Sequence, residues 1–322
     1  MTKMKKILAV GLASVLAVSF AACSNGGAKG DTAKTGLAVI SEIKDDEYNK
    51  SETALEIDSV AAAVLVGEDG KIISVKIDEA QTKPDLTKDN GNVADLRTKL
   101  QKLEDYGMKG VSPIGKEWYE QVAAFESWAV GKTAEEVKAG IGEDGYPVDA
   151  DLKAGCTIHA SGFAAVVEKA IASATDCGAK ATDTLKLSVA TEKYYESNET
   201  NLQYDSNYAA VTLDADGKIT SCIVDASQAK CSIADGKFTV EKGAYITKKE
   251  LKEDYNMKGA SPIGKEWYEQ AAHLEAWTVG KTAEEVKAGI GSDFGPADDD
   301  LKAGCTITVG SILNNVANAA TV

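Results

Sequence analysis

The seven residues Asp151-Leu152-Lys153-Ala154-Gly155-Cys156-Thr157 recur unchanged at positions 300 to 306. The match extends outward from this heptapeptide, because residues 104–157 and residues 253–306 are identical at 42 of 54 positions without a gap. A match of this length indicates that the chain holds two copies of one module. A recent duplication also copies neutral residues, so identity between the copies does not by itself mark a site.

In both copies the segment before this match has the pattern of a β-hairpin. Residues 62–66 are apolar, Asp69-Gly70 follows, and apolar residues then alternate with polar ones; the second copy repeats this around Asp216-Gly217. Alternation across an Asp-Gly pair is typical of an antiparallel hairpin. Residues 214–217 are similar to the start of a calcium-binding loop, but the later ligands and the closing Glu are absent, so a turn is predicted.

Helical signals follow each hairpin. Ser112-Pro113 predicts the start of a helix that carries Trp118 on its apolar stripe and ends at Gly131. A capping box predicts a short helix that ends near Gly140. The two boxes pair Thr133 with Glu136 and Thr282 with Glu285. A last apolar helix is expected over 162–174, and its copy over 311–320. Trp118 and its copy Trp267 are interpreted as core residues, with stacking on a ligand as the alternative.

These patterns predict an α+β fold made of two tandem repeated modules, at residues 37–176 and 185–322. Each module is expected to hold a small, mostly antiparallel sheet packed against helices. Residues 177–184 are short and polar and are interpreted as the linker between the modules.

The first 23 residues have the pattern of an export signal, with three lysines, an apolar run over 7–20, and two alanines before Cys23. Small residues directly before a cysteine resemble the lipobox of bacterial lipoproteins. The pattern predicts that Cys23 is lipidated, with residues 24–36 as a flexible tether, and that the protein is anchored at the outer face of the cell membrane. The alternative is an ordinary cleaved signal with an incidental cysteine.

Composition and side-chain inventory exclude several classes of function. The formal charge of −15 and the sequence pI of about 4.7 argue against nucleic acid as a partner. The two histidines, His159 and His273, are not repeat partners, so the sequence predicts no metal site and no histidine-based catalytic triad shared by both copies. Residues 140–145 match a dinucleotide-binding spacing, but they follow a helix and the second copy breaks the pattern, so chance explains them.

Six cysteines occur in the chain, and five of them lie beyond Cys23. An odd number gives no complete disulfide framework. The repeat partners Cys156 and Cys305 are expected to be small, buried and inert. Cys222 and Cys231 could pair, but nothing in the sequence requires it, and the disulfide status of Cys177 also stays open.

The heptapeptide resembles the flavinylation sequence of the FMN-binding domain family, Asp-x-x-Ser/Thr-Gly-Ala-Thr. In that family a flavin transferase joins FMN through its phosphate to the threonine hydroxyl. The resemblance implies that Thr157 and Thr306 carry covalent FMN. It assigns the remaining cofactor-site positions to Asp151, Asp300, Gly155, Gly304, Cys156 and Cys305. In this chain Ala154 and Ala303 replace the hydroxyl residue of the family pattern, and the two cysteines replace its Ala.

The resemblance implies a membrane-anchored extracellular flavoprotein of the tandem-domain type. It would be an electron carrier rather than a substrate-specific catalyst, supplied by a membrane-bound electron donor. One alternative treats both threonines as plain helix N-caps in a cofactor-free lipoprotein that presents two copies of one binding surface. A solute-binding protein of the ABC type is a third reading, and a sequential duplication argues against it.

Overall fold

The computed structural model describes residues 31–47 and 49–321, so the predicted signal segment, Cys23 and most of the predicted tether lie outside the described residues. In the first half the strands are β1 (Lys34–Asp45), β2 (Leu55–Val66) and β3 (Ile72–Thr82). The helices that follow are α1 (Lys99–Lys102), α2 (Trp118–Ala129), α3 (Ala134–Ala139), α4 (Ala150–Lys153) and α5 (Ser161–Ala172).

The second half repeats this order of elements and adds two short strands. Its strands are β4 (Thr184–Lys193), β5 (Asn201–Leu213), β6 (Ile219–Ala234), β7 (Lys237–Phe238) and β8 (Gly243–Tyr245). Its helices are α6 (Lys248–Leu251), α7 (Trp267–Thr278), α8 (Ala283–Ala288), α9 (Asp299–Lys302) and α10 (Gly310–Thr321). Single 3-10 turns occur at Asp89–Gly91, Leu103–Tyr106 and Lys252–Tyr255.

Both predicted hairpins are present. Strand β2 pairs antiparallel with β3, and β5 pairs antiparallel with β6. The turns use glycine at positive φ, +76° at Gly70 and +75° at Gly217, which residues with a Cβ rarely adopt. The Asp214 carboxylate accepts hydrogen bonds from the N–H groups of Asp216 and Lys218, each at 2.9 Å. This segment is therefore a turn closed by its own aspartate, as predicted.

The predicted helices are present, but the predicted start of the long helix is wrong in both copies, since the copy expected from Ser261 begins at Trp267. Capping boxes begin α3 at Thr133 and α8 at Thr282. The predicted start of the long helix at Ser112 is wrong, because α2 begins at Trp118 with Glu117 as its N-cap. Gly115 has a φ of +62°, which lies outside the right-handed helical region, so a helix started at Ser112 would end there.

Each sheet packs one face against helices. The first sheet has the strand order β3-β2-β1-β8 and the second has β4-β5-β6-β7. Helix α5 lies across β1 and β2, and α2 contacts β3; α10 lies across β4 and β5, and α7 contacts β6. The expected α+β fold, with antiparallel sheets packed against helices, is confirmed.

The second face of each sheet packs against the other sheet. Alternate residues of β2, Ala61, Ala63 and Leu65, share a buried core with Tyr208 and Ala210 of β5. Hydroxyl pairs bridge the same interface, including Thr35 Oγ1 with Ser221 Oγ at 2.7 Å. A strand covered on both faces needs apolar residues on both, which explains the unbroken apolar run at 62–66. The layers follow the order helix, sheet, sheet, helix.

Segments from the two halves also interleave along the sheet edges. Strand β8, from the second half, pairs with Ser41–Ile43 of β1. Within the first half, Thr35 and Thr175 exchange two backbone hydrogen bonds of 3.0 Å, and Ala33 N–H donates to the carbonyl of Ala179 in the predicted linker at 3.0 Å. The tether prediction is therefore wrong for Lys34–Gly36, which belong to β1. The predicted linker at 177–184 is packed beside this segment, with Ala179 buried. Among the described helices, none has the length and apolar content needed to span a bilayer.

Candidate functional site

Thr157 and Thr306 lie in the loops that join α4 to α5 and α9 to α10. Each threonine precedes its long helix by four residues, since α5 begins at Ser161 and α10 at Gly310. The N-cap of α5 is Ala160, whose side chain makes no capping bond. The interpretation of these threonines as helix N-caps is therefore wrong. The side chain of Thr157 is half-buried, and that of Thr306 is exposed.

A buried glutamine fixes each threonine. Gln121 Oε1 accepts hydrogen bonds from both the N–H (2.8 Å) and the hydroxyl (3.1 Å) of Thr157. Gln270 Oε1 does the same for Thr306, at 2.8 and 3.2 Å. Both glutamines are fully buried on the long helices α2 and α7. The glutamine oxygen thus binds both the N–H and the hydroxyl of the threonine, and this orients the hydroxyl. If the hydroxyl lost its proton, the bond from the threonine N–H to the glutamine would still hold the loop.

The opposite end of each glutamine is satisfied as well. Gln270 Nε2 donates to the Ser261 hydroxyl at 3.0 Å and to the Lys265 carbonyl at 3.1 Å. Gln121 Nε2 makes the equivalent bonds to Ser112 and Lys116, each at 3.2 Å. Ser112, predicted to begin a helix, therefore serves the threonine loop instead. Sequence reasoning missed both glutamines, because a glutamine inside a helical run resembles an exposed polar position.

The heptapeptide glycines lie where a long helix passes closely. A Cβ added to Gly155 would stand 2.5 Å from Ala124 Cβ, and one added to Gly304 would stand 2.3 Å from the His273 ring. His273 Nε2 is 2.8 Å from the Asp300 carbonyl oxygen, which ties α7 to the heptapeptide. Glycine at these positions therefore serves close packing, which brings the buried glutamine of each long helix within reach of the threonine.

The first residue of each heptapeptide, an aspartate, is exposed, whereas a nearby aspartate caps the same short helix. Asp151 and Asp300 are exposed, each in a four-residue helix. The carboxylates that cap these helices belong to Asp149 and Asp298, which also accept from the indole N–H of a tryptophan, at 3.0 and 2.9 Å. These backbone and indole donors hold the pKa of the Asp298 carboxyl below its usual range. Asp151 and Asp300 remain accessible to a second protein.

Cys156 and Cys305 are buried among the apolar residues under the long helices. Burial raises the pKa of the Cys156 thiol, and it raises that of Cys305 to about 11, so both stay protonated at neutral pH. All five described cysteines are free, and Cys222 and Cys231 are buried separately without a bond between them. The expectation of inert, buried repeat-partner thiols is confirmed.

A cavity of about 700 Å³ opens beside Thr306. Its volume lies within the range of small-molecule sites in proteins, roughly 300 to 1,000 Å³. Five aromatic side chains contribute to its wall: Tyr194, Tyr195, Tyr255, Trp267 and Phe294. Charged and hydroxyl groups complete it: Glu192, Lys193, Asp205, Lys248, Thr306 and Thr308. Trp267 is 97% buried and belongs to the core of the second half, so the core interpretation of this tryptophan is confirmed.

The two copies differ next to the threonine. In the first, a Cβ on Gly145 would lie 2.0 Å from His159 Nε2, so the histidine ring occupies that space. In the second, the same positions hold Phe294 and Thr308. Phe294 adopts a φ of +62°, rare for a bulky side chain, and its ring borders the cavity. Strain of this kind concentrates at functional sites in folded proteins.

No protein-family model matches the chain, and no solved structure matches it. A chlorophenol reductase of Desulfitobacterium hafniense is similar, 30% identical over 119 residues, which cover 32% of this chain. The match covers 36% of that reductase, so the chain spans about a third of the length of the curated relative. Among the described residues, no cluster of three His, Cys, Asp or Glu side chains could hold a metal ion.

Proposed function

We propose that the chain is a tandem-module flavoprotein that carries FMN as a phosphoester on Thr306 and on Thr157 and relays electrons. The observation that carries this proposal is the exposed Thr306 hydroxyl at the edge of a 700 Å³ cavity with aromatic walls. A planar, three-ring cofactor fits such walls, since aromatic side chains stack on or pack edge-to-face against flat rings. FMN held there would supply one- and two-electron transfer.

Three residues of the second copy would have separate roles in holding the cofactor. Thr306 would supply the covalent link, Gln270 would hold the loop through the Thr306 N–H, and Gly304 would allow α7 to lie close enough for that contact. Thr157, Gln121 and Gly155 would do the same in the first copy. Cys156 and Cys305 support the loops from the core and take no chemical part.

Attachment requires a hydroxyl that a transferase can reach. Thr306 Oγ1 would bond to the flavin phosphorus while the bond from that phosphorus to the leaving nucleotide of a flavin dinucleotide donor breaks. The hydroxyl proton would pass to a base of the transferase. The exposed Asp300 on α9, and Asp151 on α4, would give the transferase a recognition point next to each loop.

The surroundings of the protein support covalent attachment in particular. A lipid anchor on Cys23, which lies outside the described residues, would hold the carrier at the outer face of the membrane near a membrane-bound electron donor. A cofactor bound only by mass action is lost when its free concentration falls far below its Kd, as it does outside the cell. The similar protein from Desulfitobacterium hafniense is named as a reductase, which favours the same broad class of redox function.

Intact mass tests the proposal. The mature protein is made in a host that expresses a flavin transferase, as wild type, Thr306→Ala, Thr157→Ala and the double variant. Thr308→Ala is the matched control, because Thr308 is a neighbouring exposed hydroxyl in the same cavity. We expect FMN-sized additions that disappear with each threonine, with fuller occupancy at Thr306 because Thr157 is half-buried. A wild type without any addition or flavin absorbance would reject the carrier and favour a cofactor-free binding protein.

A further inference from the structure

The same lysine lies over equivalent tyrosine and tryptophan rings in both copies, but within the part of the chain that the structure describes it forms an ion pair only in the first. In the first, the Lys99 ammonium lies 2.7 Å from the Glu79 carboxylate, and both side chains are about 90% buried. In the second, the counterpart Lys248 lies 5.1 Å from the Tyr255 ring centroid and 5.6 Å from that of Trp267. Lys248 takes part in no ion pair among the described residues, and it lines the cavity beside Thr306.

A single substitution accounts for this difference. Asp78 accepts hydrogen bonds from the N–H of the next residue and from Leu100, and Asp225 accepts in the same way from the next residue and from Lys249. The residues that follow these aspartates, Glu79 and Ala226, therefore occupy equivalent positions. Ala226 lines the cavity, so the space that a glutamate side chain fills in the first copy is open in the second.

The two carboxylates that line the same cavity as Lys248 have hydrogen-bond partners of their own. Glu192 accepts from the Ser311 hydroxyl at 2.7 Å, and Asp205 accepts from Gln203 Nε2 at 2.7 Å. The ammonium thus faces a cavity with aromatic walls and no carboxylate bound to it. An ammonium in this setting favours a ligand that brings negative charge or electron density to it, because cation–π attraction to the aromatic rings is weaker than an ion pair.

We propose that the cavity beside Thr306 is an open binding site for a planar aromatic ligand, and that Lys248 contacts the electron-rich edge of its ring system. In the first copy the Glu79–Lys99 ion pair takes the place of Ala226 and the Lys248 ammonium, and the His159 ring lies against Gly145. The rings of Tyr255 and Trp267 beside the ammonium, and the other aromatic side chains of the cavity wall, favour a flat ring at this position. The choice of a flavin as the ligand rests on the proposed function.

Equilibrium titration of the full mature chain, made without a transferase, tests this site apart from covalent attachment. Riboflavin and FMN are the probes, and quenching of flavin fluorescence is the readout. Lys248→Met keeps the aliphatic stem and removes the charge. Ala226→Glu restores the ion pair of the first copy, and Ala226→Gln adds a side chain of similar size without charge. Lys302→Met on exposed α9 is the control for net charge.

We expect Lys248→Met and Ala226→Glu each to raise the Kd at least fivefold for both probes. Ala226→Gln should raise it less than Ala226→Glu, and Lys302→Met should leave it unchanged. Unfolding of Ala226→Glu, seen by circular dichroism, would leave Lys248→Met to decide the question. Equal affinities in wild type and Lys248→Met, a loss confined to FMN, or a wild type that binds neither probe would each overturn the assignment. None of these results alters the mass of the transferase-treated protein, so the carrier proposal succeeds or fails separately.

Discussion

Replacing Gln270 with leucine should destabilise the protein strongly, although no catalytic or surface group is lost. Gln270 is fully buried and makes four hydrogen bonds, two with Thr306 and one each with Ser261 and Lys265. At about 1 kcal/mol for each bond the loss is about 4 kcal/mol. The apolar leucine side chain returns about 1 kcal/mol. The expected decrease in the free energy of unfolding is therefore about 3 kcal/mol.

Urea unfolding followed by tryptophan fluorescence measures this decrease. With a slope of about 3 kcal/mol per molar urea, the midpoint should fall by about 1 M. Thr306→Val is the matched control, because it removes only the hydroxyl bond to Gln270 and should cost about 1 kcal/mol. If Gln270→Leu lowered the midpoint no more than Thr306→Val does, the glutamine would not be what fixes the loop. Reduced flavin occupancy in Gln270→Leu, despite an intact Thr306, would further support its positioning role.

Three more perturbations test other parts of the structure. Gly304→Ala should lower the free energy of unfolding by about 1 to 3 kcal/mol, measured in urea, because the new Cβ meets the His273 ring at 2.3 Å. Adding His273→Ala should recover most of that loss, and effects of the two substitutions that simply add would contradict the contact. Burial raises the pKa of Asp225 to about 6, so the folded state holds this proton more tightly than the unfolded state does, and the free energy of unfolding should fall as pH rises from about 4 to about 6. Asp225→Asn should flatten that part of the stability profile, and an unchanged profile would assign the slope to other groups. Of the five described thiols only Cys177 is not buried, but burial still raises its pKa and lowers its thiolate fraction. A thiol reagent should therefore modify Cys177 slowly in the native protein and the remaining four only after denaturation; a second thiol that reacts before denaturation would contradict the burial of that site.

Sequence patterns predicted the elements well where the stabilising interactions join residues close together in the sequence. The Asp-Gly turns and the two capping boxes depend on residues within a few positions of one another, and both form as expected. The start of α2 failed for a local reason as well, since the positive φ of Gly115 is not visible in a serine-proline signal. Strands β1 and β4 lie outside the predicted hairpins.

The packing of the two sheets on each other could not be read from patterns within either copy. It depends on residues far apart in the sequence, such as Thr35 and Ser221, which share a hydrogen bond, and Ala63 and Tyr208, which belong to one core. The run at 62–66 held a clue, because five consecutive apolar residues in a strand imply cover on both faces. Nothing in that run identifies the second cover as the other copy of the module.

The candidate site was predicted in part. The threonines and glycines were found through the heptapeptide, whose close packing against the long helices explains why glycine stands there. The glutamines and Lys248 were missed, because Gln270 contacts Thr306 at a separation of 36 positions and Lys248 contacts Trp267 at a separation of 19, and such spacings have no local signature. The strand register places Glu79 and Ala226 at equivalent positions, and only this equivalence explains why Lys99 has an ion pair and Lys248 has none with a described residue.

The layer order also constrains how two cofactors would work together. The core that holds Cys156 and the core that holds Cys305 lie on the outer faces of the two sheets, and a third core lies between the sheets. Packed sheets stand about 10 Å apart, so both sheets and the core between them separate the two helical layers. Under the proposed function, each threonine site would therefore meet an external partner directly. A chain with only Thr306 loaded should still accept electrons from the donor at close to the wild-type rate per flavin, whereas a large loss would require transfer from one site to the other across the sheets.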